Sequence, residues 1–100
     1  MTVVAVDSYV LNVLMRDLTG HDKRPSAFLV YLFLWNRTFG AGFRTVRVSH
    51  QGMAEGTGLS KSTVQGAIRA LVRRKLVRVF KASPTAVPEY RVARPWVRRK

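Results

Sequence analysis

Gln65, Arg69 and Arg73 recur at four-residue intervals in one short stretch. At about 100° per residue they fall on one side of a helix, together with Ser62 and Gly66. An amide, a hydroxyl and two guanidiniums on one face are hydrogen-bonding chemistry, suited to phosphate oxygens and base edges. The amide matches adenine and the guanidinium matches guanine. Gly66, between them, leaves room for another surface to come close.

The residues that could support catalysis are scattered. Two histidines, His21 and His50, stand among five carboxylates. Asp17 and His21 are four apart, a spacing that could pair on a metal, but Gly20 interrupts the helix that would align them and no third ligand is near. His50 falls in the first turn of a helix, where it meets solvent or a phosphate rather than a substrate. No glycine-rich phosphate loop stands between a strand and a helix, and Gly52, Gly56 and Gly58 read as helix and turn features. The expectation is a chain that is not an enzyme and holds no cofactor and no metal.

The elements that must position the polar face are legible around it. Ser49 is a candidate N-cap, Met53 and Ala54 are a first apolar pair, and Gly58 stops the first helix in the left-handed conformation. Leu59 plugs the turn and Ser60 caps the second helix. On that helix Val64, Ala67, Ile68 and Leu71 share one apolar stripe that must pack inward.

Ala54, Gly58 and Val64 match the spacing of the helix-turn-helix motif. The phrase LSKSTVQGAIRALVRRKLVRV resembles the recognition helix and following strand of winged-helix regulators of the GntR and MarR types. It is also similar to winged-helix modules of plasmid and phage replication proteins. The resemblance covers roughly residues 26–95. It implies an α+β winged helix: a three-helix core with the helix-turn-helix, a short strand, and a C-terminal β-hairpin wing, here with an extra N-terminal helix. It also implies sequence-specific binding of double-stranded DNA, with a recognition helix over about 60–75 in the major groove. Ser60, Lys61, Ser62 and Thr63 would lie at its leading end, Gln65 and Arg69 on base edges, and Arg73 on a flanking phosphate. Ser49, His50 and Gln51 would touch the backbone, and Arg78, Lys81, Thr85 and Arg91 would set the wing on the neighbouring strand or minor groove. A transcriptional regulator is the first reading. A replication-initiator module is the alternative, and a protein-interaction winged helix or a binder of structured RNA are readings from other classes.

The chain reads as a single domain over residues 1–100. Residues 7–18 form the extra helix, capped by Asp7 or Ser8, with Val10, Leu11, Leu14 and Leu18 at helical spacing, Val13 and Met15 broadening the face, and Thr19-Gly20 ending it. That helix either packs on the core, the favoured reading, or pairs two copies in a homodimer. After the polar connector GHDKRPS, residues 26–38 are apolar almost all round and predict a buried helix, with Tyr31 and Trp35 as a lesser candidate partner surface. Arg44–Val48 alternates as a short strand. In the hairpin Val77 and Val79 share a face opposite Arg78 and Phe80, Ser83–Pro88 forms the tip, and Tyr90 and Val92 face inward. Trp96 can tuck against the domain ahead of a mobile basic end, Arg98–Lys100, within a basic tail over 96–100.

Charge supports the same division. Eighteen Lys and Arg against five Asp and Glu give +13, a balance that points to a polyanionic partner. Residues 1–59 hold six cations and four anions, and residues 60–100 hold twelve cations and one anion, so the excess begins at the polar face. Cysteine is absent, which excludes disulfides and thiolate metal sites. The start lacks a basic n-region, and the longest apolar run is far short of the ~20 residues that span a bilayer, so the expectation is a cytoplasmic protein with no membrane partner.

Overall fold

The computed structural model describes residues 2–97. Val10, Leu14 and Leu18 set the first element. A strict four-residue spacing drifts by about 40° per step on an α-helix. The helical segment 8–21 takes up that drift in two wider i→i+5 stretches, Val10–Leu14 and Asp17–His21, and all three side chains are buried. The helix therefore does not stop at Thr19-Gly20 as expected. Thr19 donates its hydroxyl to the Met15 carbonyl at 2.6 Å, and the Asp22 N–H closes a π-turn on the Asp17 carbonyl at 2.8 Å. Nor does the Asp7 carboxylate cap it. That carboxylate accepts from Arg94 Nη1 at 3.3 Å and Trp96 Nε1 at 3.1 Å, and only the Asp7 carbonyl serves the helix, accepting from Val10 N–H. Leu11 and Met15, expected on the apolar face, are 46% and 41% exposed.

Helix α1 (Pro25–Arg37) begins with proline in its first turn, where the missing N–H would be unsatisfied anyway. It buries Ala27, Phe28, Val30, Tyr31, Leu34 and Trp35, as its composition predicts. The reading of Tyr31 and Trp35 as a partner surface is corrected. Both rings are in the core, and their polar tips have internal partners: Tyr31 donates to the Ala93 carbonyl and Trp35 Nε1 to the Ala5 carbonyl, each at 2.9 Å. The helix ends at Thr38, whose buried hydroxyl donates to the Leu34 carbonyl at 2.8 Å.

A short 3-10 turn leads into strand β1 (Thr45–Arg47), then helix α2 (His50–Thr57) and helix α3 (Lys61–Arg73). Both helix starts are capped as their sequences predict. Ser49 Oγ accepts from Gly52 N–H at 2.9 Å, and Ser60 Oγ accepts from Thr63 N–H at 3.2 Å. Gly58 ends α2 with φ 80°, and its N–H bonds the Ala54 carbonyl. The end of α3 was not legible. Leu76 N–H bonds the Leu71 carbonyl and Lys75 N–H the Val72 carbonyl, a Schellman closure with lysine, at φ 59°, in the left-handed position glycine normally fills.

Strands β2 (Val77–Phe80) and β3 (Glu89–Val92) complete an antiparallel sheet of order β1-β3-β2, pairing Val77 with Val92, Arg78 with Arg91 and Val79 with Tyr90. Val77, Tyr90 and Val92 face the core, while Arg78, Phe80 and Arg91 face solvent. The fold is α+β, and its buried apolar residues form one cluster, in which α1 packs on α3 and on the sheet. Val64, Ala67, Ile68 and Leu71 supply the α3 side of it. The chain after β3 folds back to the first helix: Trp96 stacks on Tyr9 with ring centroids 4.6 Å apart, and Arg94 lies over the Phe39 ring. The expected basic end, Arg98–Lys100, lies outside the described residues. Among the described residues no helix is long and apolar enough to cross a membrane.

Candidate nucleic-acid interface

Burying Val64, Ala67, Ile68 and Leu71 fixes the rotation of α3 and so decides what faces out. Lys61, Ser62, Arg69 and Arg73 are exposed, and Gln65 is half-buried among them. Val72 joins the same stripe as its one large apolar member.

The carboxylates are all engaged elsewhere. Asp7 holds Arg94, Asp17 lies 4.0 Å from Arg16, Asp22 grips Arg74, Glu89 lies 3.9 Å from Arg47, and Glu55 accepts from the Gln51 amide at 3.2 Å. These five are the whole acidic complement of the chain. Among the described residues, Lys61, Arg69, Arg73, Arg78, Lys81 and Arg91 consequently form no ion pair. The Asp22–Arg74 pair is bidentate, with two contacts of 2.8 Å, and that guanidinium holds the Asp22 carboxyl well below the usual carboxylate range.

Three elements converge at the leading end of α3. Gln65 Nε2 donates to His50 Nδ1 at 3.3 Å, joining α3 to the first turn of α2. The His50 imidazole is pushed below its ordinary pKa by burial, then by the nearby charges of Lys61 and Lys81. Lys81 stands at the foot of the β2–β3 loop, so the loop approaches the same point. Its ammonium donates to the Pro84 carbonyl at 3.1 Å, and the Val48 N–H bonds the Pro88 carbonyl, tying the far side of the loop to the strand that precedes α2.

Not every expected residue joins this group. His50 and Gln65 are brought together, with the charges of Lys61 and Lys81 near enough to act on the imidazole, and Ser62, Arg69 and Arg73 extend the line along α3. Ser49, Ser60 and Thr63 are occupied in capping: Ser60 Oγ is also 2.8 Å from Thr63 Oγ1. Gln51 is turned to Glu55, and the Thr85 hydroxyl sits 3.5 Å from Ser83 at the loop tip. Arg78 and Arg91 oppose each other on the outer sheet face. They line a shallow groove of about 1040 Å³ that Val72 and Lys75 border from the end of α3. Like charges directly opposite on a sheet destabilise it unless an anion intervenes.

Arg24 is the residue that sequence reasoning missed. The sequence predicts that Gly66 leaves room for an outside surface. Instead it is buried, and its space is taken from within the chain: a Cβ there would meet Arg24 Nη1 at 2.8 Å and lie 3.7 Å from Arg69 Nη2. A glycine in mid-helix costs about 1 kcal/mol relative to alanine. That anomaly was the available signal, but it named no partner, because Arg24 is forty-two residues away in sequence.

The other pairing considered, Asp17 with His21, is not formed. Asp17 faces Arg16, and His21 Nδ1 contacts Asp22 Oδ1 at 2.9 Å. Among the described residues no three His, Cys, Asp or Glu cluster as metal ligands. Comparison of the chain with protein-family models, with curated proteins and with solved structures found no match.

Proposed function

We propose that this chain is a winged helix-turn-helix domain that binds double-stranded DNA sequence-specifically and acts as a transcriptional regulator. The observation that carries the proposal is the cationic ridge of α3, whose Lys61, Arg69 and Arg73 pair with no carboxylate, with α2 bonded to it through His50 and Gln65 and the Lys81 charge near that joint. The element order α1-β1-α2-α3-β2-β3 with sheet order β1-β3-β2 supports it. In this reading α3 enters the major groove with Gln65 and Arg69 toward base edges and Val72 available to a thymine methyl. Lys61, Arg73 and Lys81 neutralise phosphates. Arg78 and Arg91, held opposite each other, accept a phosphate on the wing side. Leu11 and Met15, exposed and four apart on the first helix, give two copies a surface through which to pair.

Fluorescence anisotropy with a labelled duplex tests the reading. If about six phosphates are neutralised, affinity falls roughly a thousandfold between about 50 and about 200 mM salt. Changing Arg69 and Arg73 together to alanine abolishes most of the binding. Duplex RNA competes poorly, because A-form geometry closes the major groove to a helix. Undetectable duplex binding at low salt, or little loss in the double variant, would overturn the proposal. Selection from a random DNA pool returns a consensus, and a palindromic one if the domain is a two-fold dimer.

A further inference from the structure

The segment 22–24 between the first helix and α1 is held against α3 with unusual care. Asp22 is fixed to Arg74 by the bidentate pair, Lys23 turns the chain through a left-handed conformation at φ 54°, and Arg24 N–H bonds the Leu18 carbonyl at 2.7 Å. The Arg24 carbonyl then accepts from Ala27 N–H and starts α1. The backbone is thus secured on both sides of Arg24, and its guanidinium is delivered over Gly66, beside that of Arg69. Among the described residues neither guanidinium has a carboxylate partner. Two cations side by side repel, and a glycine has been placed where any side chain would part them. Two guanidiniums this close, each rich in N–H donors, can share one phosphate oxyanion, whose charge would offset their repulsion.

We infer that Arg24 and Arg69 close over Gly66 as a clamp for one phosphate group, adding the connector before α1 to the DNA-binding surface. The inference rests on the duplex-binding reading and extends it to a contact outside the helix-turn-helix and the wing. The same chemistry would hold a free phosphate or pyrophosphate, so the experiment separates the two sources.

Anisotropy titrations of the full chain with a mixed-sequence duplex, across a salt series, compare wild type with Arg24→Ala, Gly66→Ala and the double variant. Arg24→Ala weakens binding about tenfold, equally on unrelated duplexes, and lowers the salt slope by about 0.9. Gly66→Ala moves stability and binding in opposite directions. The melting temperature rises by roughly 4 °C from helix propensity, while affinity falls because the methyl displaces the Arg24 head group. In the Arg24→Ala background the Gly66→Ala change has no further effect on binding, the non-additivity expected of one shared site. NMR of the arginine Nε–H signals during a pyrophosphate titration supplies the other arm. If wild type binds duplex and Arg24→Ala matches it in affinity and slope, the clamp is wrong and the duplex reading stands. If wild type binds no duplex, movement of the Arg24 and Arg69 signals with pyrophosphate keeps the clamp as a free-phosphate site, and their silence overturns it.

Discussion

Tyr90 and Lys75 both sit in positions that the physics of folding disfavours. Tyr90 is fully buried on the inner face of β3, and its hydroxyl is the one buried side-chain polar atom among the described residues without a hydrogen-bond partner. Burial also pushes its phenol up to about 12. An unsatisfied buried hydroxyl costs about 1–3 kcal/mol, so Tyr90→Phe removes a penalty without removing a bond. The variant should be as stable as wild type or up to about 1 kcal/mol more stable by urea denaturation. Loss of more than that would mean the hydroxyl has a bound partner. Lys75 holds the left-handed position after α3, where a side chain costs roughly 1–2 kcal/mol. Lys75→Gly should recover about 1 kcal/mol of thermal stability, whereas Lys75→Val, β-branched at the same φ, should lose stability.

At the scale of elements, the joint between α2 and α3 is titratable. With His50 neutral, its Nδ1 accepts from the Gln65 amide. Protonation places an N–H there, donor against donor, so the amide must turn. The folded pKa lies below the ordinary 6.5, for burial first and the two lysines second. Between those two values the unfolded chain binds more protons, so stability is complete above about pH 6.5 and declines as pH falls through the window. The His50→Gln variant should lose that part of the pH dependence in melting curves between about pH 5 and 8. An NMR midpoint for His50 at or above 6.5 would refute the assignment.

The same elements mark how far the sequence could be read. The caps at Ser49, Gly58 and Ser60 and the inward stripe of α3 were legible because each is decided within one or two turns of chain. Inward Tyr90 and Val92 followed from strand alternation in the same way. The extension of the first helix through His21 was not legible, since π-turns have no composition signal of their own. Asp7 looked like a cap and Gly66 like an open gap because their partners, Arg94 with Trp96 and Arg24, come from distant parts of the chain. Within the candidate site the exposed cations were readable from periodicity. The occupation of Ser49, Ser60 and Thr63 in capping follows from bond geometry that no residue type announces.

Over the whole molecule the acids and bases are distributed unequally in use as well as in number. With a net charge of +13, no carboxylate paired with Lys61, Arg69 or Arg73, and Asp22 held on Arg74 just past the helix end, the exposed face of α3 carries unbalanced positive charge in the folded state. That field steers a polyanion toward the ridge and also strains the free domain. The solvent must then complete the fold. At equal ionic strength, sulfate or phosphate should raise the melting temperature more than chloride, and the difference should shrink in Arg24→Ala and in the Arg69/Arg73 double alanine variant. The choice of buffer thus becomes a variable of the protein itself: a preparation kept in phosphate would look sturdier than the same chain in a chloride medium.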